Sequence, residues 1–230
     1  NLSGPRRVKA GAARDHFLGF QAVNGRGEAF KSGGKGVKNV TGYDLNKLYA
    51  GSLGTLGVIV EATFKLSPVP PVSRVLAATF PSLQPGMQAA ECLLQQIFAP
   101  QGLQVIDGSA ARQGATGNAN LRGIVTADDS RGAVVLAFFA GRNRAIRRRV
   151  DDATKLLRDQ GALDIVSLDG SEGTGLLETL TDLGWSGETI PYLGLKLSLP
   201  PSAGVKLIMG SDYVAFGVFW GTELTRFLRR

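Results

Sequence analysis

The chain has 230 residues, 43% of them hydrophobic and 20% charged, and a formal net charge of +7 at pH 7. This composition predicts one large or two ordinary globular domains, and no apolar run approaches the ~18 residues of a membrane-spanning helix. A single cysteine, Cys92, and a single histidine, His16, exclude an internal disulfide, and also an iron–sulfur cluster, a cysteine-rich zinc site or a multi-His metal site held by this chain alone. We therefore expect no metal site and a reducing compartment.

Charge and glycine content divide the chain into two segments. Residues 1–70 contain ten Lys/Arg, four Asp/Glu and twelve of the 31 glycines, whereas residues 71–230 contain sixteen Lys/Arg and fifteen Asp/Glu. The boundary falls at SPVPPV, residues 67–72, where three prolines interrupt regular structure. We therefore predict two domains. The opening NLSGPRR has neither an initiating Met nor the features of a signal peptide, and we expect a fragment that lacks sequence at both ends.

The first predicted element is a β-hairpin over residues 16–31. HFLGFQAV is apolar and extended in character, and it is followed by Asn24-Gly25 and then by EAFK. Asn-Gly is a strong signal for a two-residue hairpin turn. SGGKG, residues 32–36, follows as a loop, because so many glycines favour unusual backbone angles.

A short helix is predicted within YDLNKLYAG. Leu45, Leu48 and Tyr49 share one helical face. Asp44 suits the helix N-terminus, and Gly51 suits the position that ends a helix.

Three glycines, Gly51, Gly54 and Gly57, then lead into a strand over residues 58–66. The strand alternates, with one predicted face formed by Val58, Val60, Ala62, Phe64 and Leu66 and the other by Ile59, Glu61, Thr63 and Lys65. Neither GxGxxG nor GxxxxGK[ST] occurs, which removes the main support for a Rossmann or P-loop site. On spacing alone the glycines allow either close approach of a ligand to the backbone or tight packing of helix on strand.

Two β-α-β patterns occupy the second segment. VLAATF, MQAAECLLQQIF and LQVID form the first, with Met87, Ala90, Leu94 and Ile97 on one helical face; GAVVLAFFAG, RNRAIRRRVDDATKLLRDQG and DIVSL form the second, with a stripe of Ile146, Val150, Ala153 and Leu157. The series predicts a ferredoxin-like split sheet. LGLKLSLP and YVAFGVFW add two strands, and TELTRFLRR predicts the start of a helix.

The basic cluster RNRAIRRR, residues 142–149, allows a nucleic-acid patch, a solvated helix face or a docking surface for a partner subunit. Aspartates lie in the same helix and no aromatic residues are interleaved with the arginines. These observations argue against nucleic acid. No acid–base pair or nucleophile–base arrangement is visible in residues 71–230, so the sequence identifies no catalytic residue.

One long motif carries a family resemblance. KNVTGYDLNKLYAGSLGTLGVIVEATFKLSPVP, with NLSGPRR, AARDHFLG and NGRGE in the same order, resembles the second half of the FAD-binding domain of the vanillyl-alcohol oxidase and p-cresol methylhydroxylase (PCMH) superfamily. It looks most like the smaller FAD-binding subunits of bacterial glycolate oxidases. The resemblance is strong over residues 1–70 and weak beyond. It implies an α+β fold, with the C-terminal part of a PCMH-type FAD-binding domain at 1–70 and a ferredoxin-like α+β cap domain, truncated at its end, at 71–230.

The resemblance also implies where FAD is bound. In such proteins the glycine turn and the strand after it offer main-chain groups to the adenosine and diphosphate end of FAD, and a small-residue turn approaches the diphosphate and flavin. Asp44 is either a further contact or a helix cap. The family's main diphosphate loop belongs to an earlier subdomain that is absent from this sequence. The implied cofactor contacts are Asn1, Ser3, Gly4, Lys38, Asn39, Gly51, Ser52, Gly54, Gly57, Val58 and Ile59.

The implied activity is FAD-dependent oxidation of a small 2-hydroxy acid such as glycolate. The implied partners are a larger flavin subunit and an iron–sulfur subunit, in the cytoplasm or, through that complex, at the periphery of the inner membrane, with no membrane span of its own. Two alternatives remain open: a catalytically silent scaffold subunit with a flavin fold, and a stand-alone D-lactate-type dehydrogenase.

Overall fold

The computed structural model describes residues 4–36, 43–108, 111, 132–181, 193–197, 216–219 and 223–228. It separates into two compact units. The first contains Ala10–Val69, and the second contains Gly4–Lys9 together with the chain from Pro70 onward. The division at residue 70 falls within the proline-rich stretch, whereas the assignment of Gly4–Lys9 to the second unit was not predicted.

The first unit is a three-stranded antiparallel sheet with short helices. Strand order is β2-β1-β3, so the central strand is the first of the three in the chain. Its elements are α2 Ala13–His16, β1 Phe17–Val23, β2 Ala29–Gly33, α3 Leu45–Tyr49 and β3 Val58–Phe64. The preceding helix, α1 Arg7–Ala10, lies mostly in the Gly4–Lys9 segment of the second unit.

The hairpin between β1 and β2 has a wider turn than predicted. Asn24 N donates to Glu28 O at 3.0 Å and Gly27 N donates to Asn24 O at 3.0 Å, which closes a three-residue loop. Gly27 has φ +80°, the left-handed conformation that such loops require. Asn24 Oδ1 accepts from the N–H groups of Arg26 and Glu28. The prediction of a two-residue Asn-Gly turn was wrong because this side chain stabilises the longer loop.

Strand β3 does not alternate strictly. Residues directly opposite each other on neighbouring strands share a face, and the structure pairs Ala62 with Phe20 and Ile59 with Ala22. Phe20 and Ala22 lie two positions apart in β1, so Ile59 is on the same face as Ala62. A register shift between Gln21 and Ala22 produces this arrangement. The prediction that Ile59 and Ala62 face opposite ways was therefore wrong.

Aromatic rings form the core of the first unit. The ring of Phe20 lies 4.7 Å from that of Tyr49, 5.5 Å from Phe17 and 5.9 Å from Phe30, and Phe17 lies 5.4 Å from Phe64. Aromatic pairs at such distances add about 0.5–1.5 kcal/mol each beyond area burial. They attach α3 to the sheet through Tyr49.

The second unit is a seven-stranded sheet in which every observed strand pair is antiparallel. Its strand order is β7-β4-β6-β5-β9-β10-β8. The first four strands have the order of the predicted ferredoxin-like sheet, and three further strands extend it at the β5 edge. The elements are β4 Val72–Phe80, α4 Leu83–Leu94, β5 Gly102–Asp107, β6 Ala133–Gly141, α5 Asn143–Asp159, β7 Asp164–Asp169, α6 Gly170–Thr181, β8 Leu193–Leu197, β9 Phe216–Phe219 and β10 Glu223–Leu228. The mixture of helix and antiparallel sheet confirms the α+β class.

Helices α4 and α5 cover one face of this sheet. The predicted stripe of α5 is buried in full: Ile146, Val150, Ala153 and Leu157. In α4, Met87 and Ala90 are buried as predicted. The helix ends at Leu94, however, and Ile97 is exposed, so that part of the predicted face was wrong.

The other face of the sheet has a second apolar cluster. Strand β6 is buried along Ala133–Ala140, and its side chains alternate between the two clusters: Val135 and Phe139 belong to the first, and Leu136 and Phe138 to the second. Burial on both faces explains why GAVVLAFFAG is a continuous apolar run, which is unusual for an antiparallel strand.

The segment predicted to begin a helix near the end of the chain is strand β10. It pairs with β9 on one side and β8 on the other. Six residues are too few for a helix that is stable without tertiary support, and pairing on both edges satisfies the backbone instead.

The fold predicts a large stability effect at Phe139, which is fully buried among α4 and α5 side chains. Phe139→Ala should lower the free energy of unfolding of the second unit by about 3–5 kcal/mol, because it leaves a large cavity. The control is Leu163→Ala, at an exposed position, which should change it by roughly 0.5 kcal/mol or less. Urea unfolding followed by circular dichroism measures both, and equal effects would contradict the packing.

Candidate functional site

The glycine turn, residues 51–57, joins α3 to β3 and carries four of the eleven predicted cofactor contacts. Gly51 has φ +95°, Gly54 +79° and Gly57 +151°, and Leu53, between them, has φ +53°. Thr55 N donates to Ser52 O at 3.0 Å. With positive φ at both central residues, Ser52–Thr55 is a type I′ turn.

The glycines of this turn are required for different reasons. A Cβ atom on Gly57 would lie 2.6 Å from Val23 O, so this position is closed by packing against the end of β1. A Cβ atom on Gly54 would meet nothing within 4 Å. Packing therefore explains why residue 57 is a glycine. At residue 54 packing does not require a glycine, and the reasons left are the left-handed backbone angle and the open space beside it.

Tyr49 holds the turn in place. Its hydroxyl donates to Leu56 O at 3.0 Å, and its carbonyl accepts from Ser52 N at 3.1 Å. The ring itself is buried against Phe20 and Phe30. The bond is partly buried, and the packed ring fixes the position of its donor. The outer part of the turn is thus attached to the aromatic core, and sequence analysis did not identify this role of Tyr49.

The outer part of the turn presents hydrogen-bond donors. The main-chain N–H groups of Leu53 and Gly54 donate to no group in the part of the chain that the structure describes. The side chain of Leu53 is 95% exposed. Adjacent main-chain donors beside an open glycine suit an acceptor-rich ligand such as a phosphate or the edge of a purine.

The start of α3 is fixed by two polar side chains. Asp44 caps the helix, accepting from Lys47 N at 3.4 Å, and pairs with the Lys47 ammonium at 3.2 Å. Asn46 is buried, and its Nδ2 donates to Leu18 O at 2.7 Å. Asp44 therefore has the capping role considered above. Sequence analysis missed Asn46, because a polar residue beside an apolar helix face gives no signal of burial.

The predicted contacts Val58 and Ile59 begin β3. Their exposed fractions are 64% and 38%, and Phe64 at the far end of the strand is 52% exposed. Only β1 pairs with β3 among the described strands. The strand thus presents apolar side chains and one unpaired edge, an arrangement that proteins normally cover.

The remaining predicted contacts are not gathered at this turn by the described structure. Gly4 belongs to the second unit, and its carbonyl accepts from Arg7 N at 3.0 Å. Lys38 and Asn39, like Asn1 and Ser3, lie outside the described residues. Their contacts with a cofactor stay predictions.

The basic cluster at the start of α5 is a solvent-facing surface. Arg142, Arg144 and Arg147 are exposed, and Arg148 lies 3.9 Å from Asp152, one helical turn along. Of the helices that the structure describes, none is both long enough and apolar enough to cross a membrane. Among all the residues that the structure describes, no group of three or more His, Cys, Asp or Glu is placed to hold a metal ion.

Known proteins similar to this chain are FAD-linked oxidoreductases, although no family model matches it. An uncharacterized FAD-linked oxidoreductase of Mycobacterium tuberculosis is 34% identical over 194 residues, which is 83% of this chain and 42% of that protein. Glycolate oxidase subunit GlcD of Bacillus subtilis is 36% identical over 107 residues, which is 46% of this chain and 23% of that protein. Glycolate oxidase subunit GlcE of Escherichia coli is 43% identical over 97 residues, which is 42% of this chain and 27% of that protein. A D-lactate dehydrogenase of Archaeoglobus fulgidus is 35% identical over 114 residues, which is 50% of this chain and 26% of that protein.

Solved structures share the fold. Alkyldihydroxyacetonephosphate synthase in one crystal form matches with a TM-score of 0.64 at 17% identity, over 97% of this chain and 45% of that one. The chain spans less than half the length of the relatives and structures that it matches here.

The geometry of the turn predicts that two glycine substitutions differ in cost. Gly54→Ala should destabilise the first unit by about 1–2 kcal/mol, the cost of a left-handed backbone for a residue with a Cβ atom. Gly57→Ala should cost clearly more, since its Cβ atom also collides with Val23 O. Denaturant unfolding of the two variants gives both values, and an equal or reversed order would contradict the packing of Gly57 on β1.

Proposed function

We propose that this chain, which belongs to the FAD-linked oxidoreductases, forms one wall of an FAD site in an enzyme that oxidises small 2-hydroxy acids such as glycolate. The observation that carries the proposal is the open part of the glycine turn at Leu53 and Gly54. It has two main-chain donors, and no atom of the described residues lies within 4 Å of the position that a Gly54 Cβ atom would take. The relatives' names supply the cofactor and the substrate class.

The residues of the turn fit the adenosine and diphosphate end of FAD. The diphosphate is a dianion and the adenine edge carries acceptors, so both require oriented N–H donors and a backbone that they can approach closely. Residues 1–70 add a charge balance of +6, from ten basic and four acidic residues, which attracts an anion. Gly51, Ser52 and Gly54 would hold the cofactor through the main chain, and Gly57 supports them by packing.

FAD supplies the redox chemistry when bound, by accepting the hydride from the α-carbon of the substrate. The work of this chain is then binding and orientation. Tyr49 fixes the turn relative to the aromatic core through its ring and its hydroxyl. The main-chain N–H groups of Leu53 and Gly54 would therefore already be oriented when the ligand binds. Val58 and Ile59, which follow directly, would offer main-chain and apolar contact to the adenosine.

A second wall of the site is proposed to come from sequence outside these 230 residues. Strand β3 presents Val58, Val60 and Phe64, each more than half exposed, beside an unpaired edge. Such a surface is suited to burial against another part of a protein. The relatives are more than twice as long as the parts that this chain matches, which leaves room for the covering subdomain.

The two units have different proposed roles. Residues 1–70 are the C-terminal part of a PCMH-type FAD-binding domain, and residues 71–230 are its α+β cap domain. We propose a larger flavin subunit and an iron–sulfur subunit as partners, with electrons passing from FAD to them, in the cytoplasm or at the periphery of the inner membrane. The relatives GlcD and GlcE are named as subunits of a glycolate oxidase, which supports a multi-subunit enzyme.

Two alternatives have specific support. A silent scaffold subunit is compatible with the lack of a readable acid–base pair in the sequence of residues 71–230, as is a subunit in which the flavin carries the redox step. A stand-alone D-lactate-type dehydrogenase is favoured by the A. fulgidus relative. The first predicts turnover that is independent of this FAD site, and the second predicts oxidation of D-lactate without other subunits.

Substitution at Gly54 tests the proposal. In the full-length natural protein, within its complex, Gly54→Val should lose bound flavin, because the side chain occupies the space left for the ligand. The loss is read as visible flavin absorbance per protein and as glycolate turnover. The matched control is Gly27→Val, at φ +80° and also with nothing within 4 Å of its Cβ position, on the hairpin loop of the same unit.

The outcomes separate the hypotheses. Flavin lost in Gly54→Val and kept in Gly27→Val supports the FAD wall. Flavin kept in both variants overturns it. Flavin lost from Gly54→Val with glycolate turnover unchanged would support the scaffold alternative instead.

The isolated chain should bind FAD weakly or not at all, and should not oxidise 2-hydroxy acids. The glycine turn contacts one side of the cofactor, so the ligand would stay half exposed to water without the covering subdomain. Titration of the 230-residue chain with FAD, followed by flavin fluorescence, measures the affinity, and the full-length protein is the positive control. Tight stoichiometric binding by the 230 residues would contradict the two-walled site.

A further inference from the structure

The solvent-facing side of α5 begins with a dense group of arginines. Residues 142–149 contain five arginines and no lysine. Four of the five are exposed, and we call these four the arginine surface: Arg142, Arg144, Arg147 and Arg148. Arg148 lies 3.9 Å from Asp152. The other three pair with no acidic side chain among the residues that the structure describes.

This placement of charge is unfavourable for the helix itself. The first turn of α5 contains no acidic residue, and the N-cap, Arg142, makes no side-chain cap hydrogen bond. The N-terminus of a helix carries a partial positive charge, so cations there are destabilising. Arg144 also lies three and four positions before Arg147 and Arg148, a spacing at which like charges repel. The arginine surface therefore does not contribute to the stability of the second unit.

The residue type favours a protein partner that carries carboxylates. A guanidinium forms paired hydrogen bonds with a carboxylate, and arginine is enriched at protein interfaces from which lysine is depleted. Lysine, the more strongly hydrated cation, would serve a merely solvated face equally well. A second copy of this chain is a poor partner, because two chains with a net charge of +7 each repel one another.

The later turns of α5 argue against an anionic membrane or a nucleic acid. Asp151, Asp152 and Asp159 are exposed, and Asp151 lies on the same side of the helix as Arg144 and Arg147. Lipid headgroups or phosphates would meet these carboxylates with repulsion. No large apolar side chain of α5 is exposed, whereas helices that lie on membranes carry apolar residues that enter the lipid. A protein surface can instead match both signs of charge.

We propose that the arginine surface binds an acidic surface of a partner protein, with carboxylates opposite Arg144 and Arg147. The inference rests on the proposed function for the identity of the partner, which is then one of the other two subunits of the enzyme. Exposed charges are screened by salt, so the association weakens as the ionic strength rises. The second unit would thereby have a role in assembly that is separate from the FAD wall of the first.

Charge reversal at Arg144 separates docking from folding. Arg144→Glu places an acidic residue in the first turn of α5, four positions before Arg148, and so should raise the Tm of the purified full-length natural protein by about 1–4 °C. At low salt the same variant should retain about tenfold less of the bound subunit when the tagged protein is purified. A variant that is more stable and has lost its partner is not explained by misfolding.

The matched control is Arg158→Glu. Arg158 is also exposed, on the same side of α5, and lies about 21 Å from Arg144 at a rise of 1.5 Å per residue. It belongs to the last turn, where a cation is favourable, so its reversal should lower the Tm. The amount of bound subunit should stay within about twofold of that in the natural protein.

Mass spectrometry measures the larger flavin subunit and the iron–sulfur subunit relative to the tagged chain, and visible absorbance measures bound flavin separately. Vesicles of phosphatidylserine and phosphatidylcholine, and a short DNA duplex, are the probes for the other two classes of partner. Each probe is tested with the natural protein and with both variants.

A subunit lost from Arg144→Glu and kept in Arg158→Glu supports the proposal. Equal amounts of subunit in the two variants, whether high or low, overturn this inference and leave the proposed function intact. Vesicle or duplex binding that Arg144→Glu abolishes while the subunits are kept overturns it as well. A natural protein that co-purifies with neither subunit overturns the proposed partners and this inference together, whatever its flavin content.

Discussion

The hydrogen bond from the Tyr49 hydroxyl to Leu56 O is the constraint on which the candidate site depends. A three-stranded sheet with short helices has a small core, and here the core consists largely of aromatic rings stacked around Phe20. The same ring that completes the core carries the hydroxyl that holds the glycine turn. The conformation of the turn is therefore coupled to the packing of the core. We expect a change that displaces the Tyr49 ring also to displace the main-chain N–H groups of Leu53 and Gly54.

The turn combines rigid attachment with local strain. Leu53 adopts a left-handed conformation that is unfavourable for a branched apolar residue, and its side chain projects into solvent, where it contributes nothing to the core. Such strain persists where the surrounding structure determines the backbone completely. Here the anchors on both sides, Tyr49 through Leu56 and Gly57 against Val23, provide that determination.

Periodic patterns predicted the second unit well, because a long amphipathic helix and a continuous apolar strand depend on local sequence. All four predicted core positions of α5 are buried, from Ile146 to Leu157. The failures arise where a side chain or a distant strand intervenes. Asn24 widened a hairpin through its own side-chain bonds, and β10 became a strand because β8 and β9 lie beside it. The second effect is absent from the local residue pattern. The first is local, but the Asn-Gly pair alone does not specify it.

The candidate site shows the same limit. Glycine spacing and the family motif pointed to the turn, but the different situations of Gly54 and Gly57 depend on where Val23 lies, which only the tertiary structure shows. The role of Tyr49 depends on a hydrogen bond to Leu56, seven positions away in the chain. The buried Asn46 donates to Leu18, which is 28 positions away.

The route of the chain through the two units has a consequence for biosynthesis. Residues 4–9 leave the ribosome before the first unit does. The β5 backbone that binds Pro5, through the bond from Leu103 N to Pro5 O at 3.2 Å, is made roughly a hundred residues later, on the order of ten seconds at typical translation rates. The segment Ala10–Val69, which forms the first unit, is synthesised well before then. During synthesis the first unit thus lies between residues 4–9, whose β5 partner is not yet made, and an unfinished sheet. The bond between Pro5 and the start of β5 is therefore a long-range contact in the assembly of the second unit.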